Sequence, residues 1–448
     1  MNPSVSEQIF ESLPKSIPPE MHNLGEKLLI DVAGLCVAAR ASDYVKSALG
    51  GWEATGGCTV LGHARTLDAA GAAFVNGTAA HGEDFDDTFE GGPVHAGAVI
   101  VPAVLALCER EKLPGTAALK GIAVGVEITC RASMVAPKMI HKAGFHPTAV
   151  LGAIGAAAGA AVARGLTKAQ LVNALGIVGS MAGGIIEYLA EGTWTKRMHP
   201  GWAAQSGIRA ADLARQGFIG PRTVLEGEHG LFHGFARTTK GDWDKLLEGF
   251  GKRWVTSTVA FKLYPCGTMT HPYIDCARRL SQKIDFQEIE EVVCEAAEGT
   301  VHRLWEPLAA KQRPPNAYAG KFSQPYCIAA GFVLGNAGLD AFTEERVADP
   351  RLRALAAKVR YEIDPKNPYP DEYTGHVRVK LKNGTVLEER QAHIRGGRHE
   401  PLSRADVEEK FRGNCAYGGW SAEQAGRFLA WARKAFDAPE IRLSDFRN

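Results

Sequence analysis

Apolar residues recur at intervals of three and four over residues 24–40, 66–80, 98–111, 117–135, 148–164 and 168–189, or fill these stretches on every side. That periodicity predicts helices packed inside a bundle. Gly and Pro punctuate the series at Pro114-Gly115, Gly144, Gly165 and Gly192, leaving little room for a sheet before about residue 217. The pattern changes after Arg253. Residues 254–260 and 291–295 are β-branched or alternating, and 376–381 with 385–390 flank an Asn383-Gly384 step, the signature of a tight hairpin. Helical periodicity returns over 404–438, with Ser421 placed as an N-cap. These patterns predict a mostly α protein: a large all-helical domain formed by residues 1–254 and 396–448, with a smaller α+β domain inserted at 255–395.

Composition narrows the class. Lys plus Arg number 51 and Asp plus Glu 50, so no global field draws the chain to nucleic acid or an acidic membrane. Glycine is high, 50 of 448 residues, and clusters with alanine in apolar stretches, which points to closely approaching helices rather than linkers. The nine cysteines form no C-x-x-C pair, which argues against a disulfide framework or zinc ribbon and for a reducing compartment. The N-terminus carries acids and prolines where a signal peptide needs an apolar core. A cytoplasmic location is therefore expected. The uncharged run 144–163 is too rich in Ala and Gly to insert in a bilayer and is read as a buried helix.

Candidate chemistry lies in two places. Three histidines precede proline, His146, His199 and His271, more than random pairing of 14 His with 23 Pro would give. Proline favours the first helical position, so each is expected at a helix N-terminus, where backbone N–H groups attract anions. Lys196 and Lys262 lie three and nine residues upstream of His199 and His271, so a small molecule bearing several carboxylates fits the pattern. The second place is the acidic run 81–88, HGEDFDDT, followed by His95. Asp86, Asp87 and Glu90 spell D-D-x-x-E, which resembles a magnesium-diphosphate motif, but no second acidic motif accompanies it. A metal site of His81, Asp84 and His95 lacks a characteristic spacing, and a plain capping and salt-bridge cluster is the simpler alternative. Neither a GxxxxGK[ST] nor a GxSxG motif occurs.

The segments NGTAAHGEDFDDT, VHAGAVIVPA, GFHPTAVLGAIGAAAGAA, TKRMHPGWAAQSGIRAADLA, FKLYPCGTMTHPYIDCA and KFSQPYCIA, in this order from about residue 24 to 335, resemble the MmgE/PrpD family. That family includes 2-methylcitrate dehydratases, cis-aconitate decarboxylases and an iminodisuccinate epimerase. The resemblance implies a helical domain with an α+β lid, a homodimer, and chemistry on small di- or tricarboxylates without metal or other cofactor. It implies catalytic roles for Asp84, His95, His146, Lys196, Lys262 and His271, and substrate contacts for Thr88 and His199. Some decarboxylase relatives carry histidine five residues after the lysine of KLYPC, where this chain has Gly267. The leading expectation is therefore dehydration of a 2-methylcitrate-like hydroxy-acid, with epimerisation or decarboxylation as the close rival and a non-catalytic carboxylate binder as the reading from another class. All of them require imidazoles and ammonium groups far apart along the chain to meet in one cleft.

Overall fold

The structure, a computed structural model, describes residues 2–92 and 94–448. The chain is mostly helical and divides into two compact units, residues 1–260 with 403–448, and residues 261–402.

The first unit is built on helices α1 (Pro19–Ala39), α2 (Ala69–Gly82), α3 (Gly97–Glu111), α4 (Gly115–Val135), α5 (Pro147–Ala163), α6 (Lys168–Gly179) and α7 (Thr195–Arg215). Sixteen of the 17 residues of α5 are buried, as expected of a helix apolar all round. Its glycines explain how it fits. A Cβ on Gly159 or Gly121 would come within 2.7 Å of the other's carbonyl oxygen, and one on Gly155 within 2.6 Å of the Gly125 carbonyl. The α4 and α5 backbones thus touch along two facing G-x-x-x-G rows, so the abundance of glycine reflects close helix packing, as its clustering with alanine predicts.

Two departures from the pattern have local causes. The helix expected over 168–189 stops at Gly179, and Gly184 adopts φ +122°, a region glycine enters without steric cost. Residues 254–260 form a 3₁₀ turn, Val255–Thr258, rather than a strand, because the Val255 and Thr256 N–H groups donate to the Glu127 carboxylate instead of to a neighbouring strand. Only Val259–Ala260 is extended, paired antiparallel with Thr88–Phe89.

The second unit packs helices α8 (His271–Ser281) and α9 (Gln324–Val333) on a four-stranded sheet. Its strands are β1 (Ile289–Ala296), β2 (Val359–Ile363), β3 (Gly375–Leu381) and β4 (Val386–Gln391), in the order β2-β1-β3-β4. The predicted hairpin forms β3 and β4, with Gly384 at φ +86° in its turn. The pairing of β1 with β2 is parallel, a crossover that no local signal announces. Val292, Cys294, Val377 and Val379 line the buried face with Ile274, Ala277 and Tyr326.

The C-terminal stretch returns to the first unit as α10 (Arg404–Tyr417) and α11 (Ala422–Ala432). Helix α10 lies against α1, where a Cβ on Gly34 would meet the Phe411 ring at 2.9 Å. Ser421 caps α11 through a capping box with Gln424.

Candidate active site

Helix α2 ends at Gly82, and the following turn carries the acidic run. Asp84 turns the chain with φ +56°, a left-handed conformation that Asp tolerates better than most residues. Lys410 of α10 holds this turn from beneath. Its ammonium pairs with buried Asp31 of α1 at 2.7 Å, donates to the Phe85 carbonyl at 2.7 Å and sits 4.0 Å from the Phe85 ring centroid. Above it, Asp86 and Asp87 diverge. Asp86 Oδ2 lies 2.7 Å from His81 Nδ1, while Asp87 Oδ2 accepts the Gly97 N–H at the start of α3. Burial, reinforced by the neighbouring Asp86, pushes the Asp87 carboxyl up to about 8. Asp86 and Asp87 thus each have an intramolecular role in place of a diphosphate motif.

Four imidazoles form a row. Ring centroids are 5.1 Å apart for His81 and His95, 5.7 Å for His81 and His146, and 5.3 Å for His146 and His199, with Tyr188 edge-on to the last two. His95 is held by its backbone N–H on the Thr148 hydroxyl and by Nδ1, 2.7 Å from the Asp87 carbonyl. A carbonyl only accepts, so Nδ1 carries a proton, and in the neutral ring Nε2 holds the lone pair. By the same logic Asp86 fixes Nδ1–H on His81, whose Nε2 is buried without a hydrogen-bond partner. At the end of the row, the Lys196 ammonium donates to Asp84 Oδ1 at 3.0 Å, both side chains being largely buried.

His146 and His199 share a hydrogen bond, Nδ1 to Nδ1 at 3.2 Å, which requires one donor and one acceptor and so disfavours two imidazolium ions. Burial, then the positive neighbours His81 and Lys196, hold His146 well below its ordinary range and bring His199 down to about 4. A base kept neutral by the fold contributes stability that is complete above pH 6.5 and is lost as pH falls towards 4. In an NMR titration the His199 ring should change charge near pH 4; a midpoint at or above 6 would contradict this geometry. His199 also lines, with Tyr188, Met181, Ile185, Thr195 and Trp202, a cavity of about 500 Å³ in the first unit.

Of the residues singled out from the sequence, Asp84, Thr88, His95, His146, Lys196 and His199 belong to the first unit, Thr88 in the short strand paired with Ala260. Lys262 and His271 belong to the second unit, and both are buried. There His271 stands edge-on to Tyr264 with ring centroids 5.2 Å apart. Burial opposes ionisation of the Cys266 thiol, but the neighbouring Cys327 and His271 side chains and the Thr270 hydroxyl, 3.0 Å from Sγ, hold it below the usual thiol range. His146 caps α5 and His271 opens α8, as the His-Pro rule predicts. His199 does not: α7 begins at Thr195, and Pro200 lies inside it. Pro200 is the sixth residue of the helix and cannot donate to the Lys196 carbonyl, so this His-Pro step sits inside a helix instead of opening one. The acid between His81 and His95 is Asp86, not Asp84, whose carboxylate goes to Lys196; His81, Asp86 and His95 have donor atoms within 4.8 Å of one another and, among the described residues of this unit, are the set that could hold a metal ion. Sequence reasoning named neither Tyr188 nor the Asp31–Lys410 pair. An acid inside the apolar run LLIDVAGL was the available signal for the latter.

Residues 6–244 match the MmgE/PrpD N-terminal domain and residues 264–431 the MmgE/PrpD C-terminal domain. The chain belongs to the MmgE/PrpD family. Among curated relatives it is 32% identical to the cis-aconitate decarboxylase of Mus musculus, over 77% of this chain and 71% of that protein. It is 32% identical to the cis-aconitate decarboxylase of Homo sapiens, over 77% and 72%, and 26% identical to that of Aspergillus terreus, over 88% and 85%. Among the described residues no helix is long and apolar enough to cross a membrane.

Proposed function

We propose that this protein is a cofactor-independent lyase acting on a small di- or tricarboxylate, removing a proton from carbon next to a carboxylate and expelling water. The observation that carries the reading is the row of four imidazoles, in which burial holds His146 and His199 neutral, beside the Lys196–Asp84 pair. A substrate carboxylate near the Lys196 ammonium would have its developing enolate charge stabilised in a low-dielectric setting. His95 Nε2, the nitrogen with the lone pair, takes the proton from carbon. Electrons of the broken C–H bond form the C=C bond, and the departing hydroxyl leaves as water with a proton from a second protonated group. Lys262 and His271 of the second unit are assigned to the same reaction, and Thr88 and His199 to substrate contact.

A second reading, decarboxylation of cis-aconitate, is favoured by the names of the relatives. In that case the carboxylate leaves as CO₂ and the carbanion takes up a proton. Gly267 stands against it, offering no ionisable group where the decarboxylase resemblance places histidine. Its φ of −57° and ordinary contacts of 3.6–3.7 Å for a Cβ show that the backbone there does not demand glycine. Incubation of the pure protein in D₂O with 2-methylcitrate, cis-aconitate and iminodisuccinate, followed by NMR, separates the readings. Water loss from methylcitrate supports dehydration, CO₂ release supports decarboxylation, and deuterium exchange without net product supports epimerisation. Absence of both turnover and exchange would reject the enzymatic assignment. Persistence of turnover in excess EDTA is expected.

A further inference from the structure

We infer that the second unit carries a site for a divalent transition ion, of which Zn²⁺ is the best match, formed by Glu372, His393 and His399. Glu372 lies on the loop between β2 and β3, and both histidines on the loop after β4. His393 Nδ1 is 3.2 Å from Glu372 Oε2 and His399 Nε2 is 3.0 Å from Glu372 Oε1, while the two rings lie 4.4 Å apart at 35°. Donor atoms of a tetrahedral zinc centre, each about 2.0–2.1 Å from the metal, stand about 3.3–3.4 Å from one another. Two imidazoles and one carboxylate, with donor atoms all within 4.8 Å of one another, reach that spacing by closing in by at most about 1.5 Å, and water would complete the shell. The histidine loop is braced: Gln391 Nε2 donates to the His393 carbonyl and the Gly396 N–H to the Glu400 carbonyl.

The existing hydrogen bonds leave a conflict that points to a cation. His399 Nε2 faces the Glu372 carboxylate, which only accepts, and also the Arg398 Nε–H at 3.1 Å, which only donates. If Nε2 carries a proton, it opposes the guanidinium; if it carries a lone pair, it opposes the carboxylate. A metal ion in place of the guanidinium satisfies imidazole and carboxylate together. The Arg398 side chain, 39% exposed and hydrogen-bonded to Glu372 Oε1 at 2.5 Å, is able to swing out and is the competitor. The nine cysteines are all buried and offer no competing exposed thiolate.

The test is calorimetric titration of ZnCl₂ into chelator-treated full-length protein, with circular dichroism confirming the fold of each variant. The wild type should bind one equivalent that His399→Ala and Glu372→Gln weaken by at least about tenfold. Zinc held by His81, Asp86 and His95 would remain as an unchanged remainder in both. Arg398→Ala should tighten the site about two- to fivefold, the equivalent of a surface ion pair removed from competition. Absence of zinc heat up to about 100 µM, identical isotherms for wild type and both ligand variants, or unchanged or weaker binding in Arg398→Ala would each overturn the assignment.

Discussion

His95→Asn is expected to lower turnover by about 10² to 10⁴ while leaving the fold intact, the range general acid–base help supplies. The choice of asparagine follows from geometry. Its side-chain N–H₂ takes the place of Nδ1–H, so the hydrogen bond to the Asp87 carbonyl survives, while the basic Nε2 disappears. A steady-state assay on whichever carboxylate proves to be the substrate, paired with a thermal melt, checks both halves. Turnover within a factor of three of wild type would remove His95 from the role of base. A fall in activity accompanied by a large fall in melting temperature would show that the imbalance lies in folding instead.

The second large effect concerns stability. Arg131→Met should cost about 3–5 kcal/mol, the usual penalty for breaking a buried ion pair from one side. Arg131 and Glu127 lie one turn apart on α4 with fully buried side chains and an Nε–Oε1 distance of 2.5 Å. The pair is saturated with hydrogen bonds. Arg131 donates to the carbonyls of Lys245, Leu246, Glu248 and Arg253, and Glu127 accepts from Val255 N–H, Thr256 N–H and the Thr256 hydroxyl. These bonds clamp the stretch 245–256 onto the helix. Removal of the guanidinium strands four carbonyls and leaves the carboxylate without its counter-charge. Urea unfolding followed by tryptophan fluorescence should show the first unit melting at a markedly lower midpoint, Trp254 being in the clamped segment and buried. Loss of less than about 1 kcal/mol would mean that water reaches the pair and screens it as at a surface.

Much of the candidate site could be read before any coordinates. The run HGEDFDDT with the following His95, the three His-Pro steps and the nearby lysines contain the eight residues to which the family resemblance gave roles, and six of them belong to one unit of the fold. Those signals are local: proline restricts its predecessor and opens helices, and a dense acidic run inside apolar sequence has to be accommodated by something. The glycine-rich α5 was likewise legible, because no other residue type lets backbones touch at 2.6–2.7 Å from a would-be Cβ. The Glu127–Arg131 pair was not singled out, since an acid and an arginine four apart look the same on a solvated helix face as in a core.

Sequence by itself determined most of the helices that build the first unit, which stretch would supply the β-hairpin, and the chemical types of the candidate groups, because each of these depends on neighbours within a few residues. Tertiary structure alone decided that Asp86 rather than Asp84 turns to His81, that His146 and His199 share one hydrogen bond, and that Lys410, 325 residues away, holds the Phe85 carbonyl. Tautomer, charge state and burial are set by atoms brought together through the packing of distant segments. The protonation of a histidine depends on the partner facing its ring, and neither spacing nor composition carries that information.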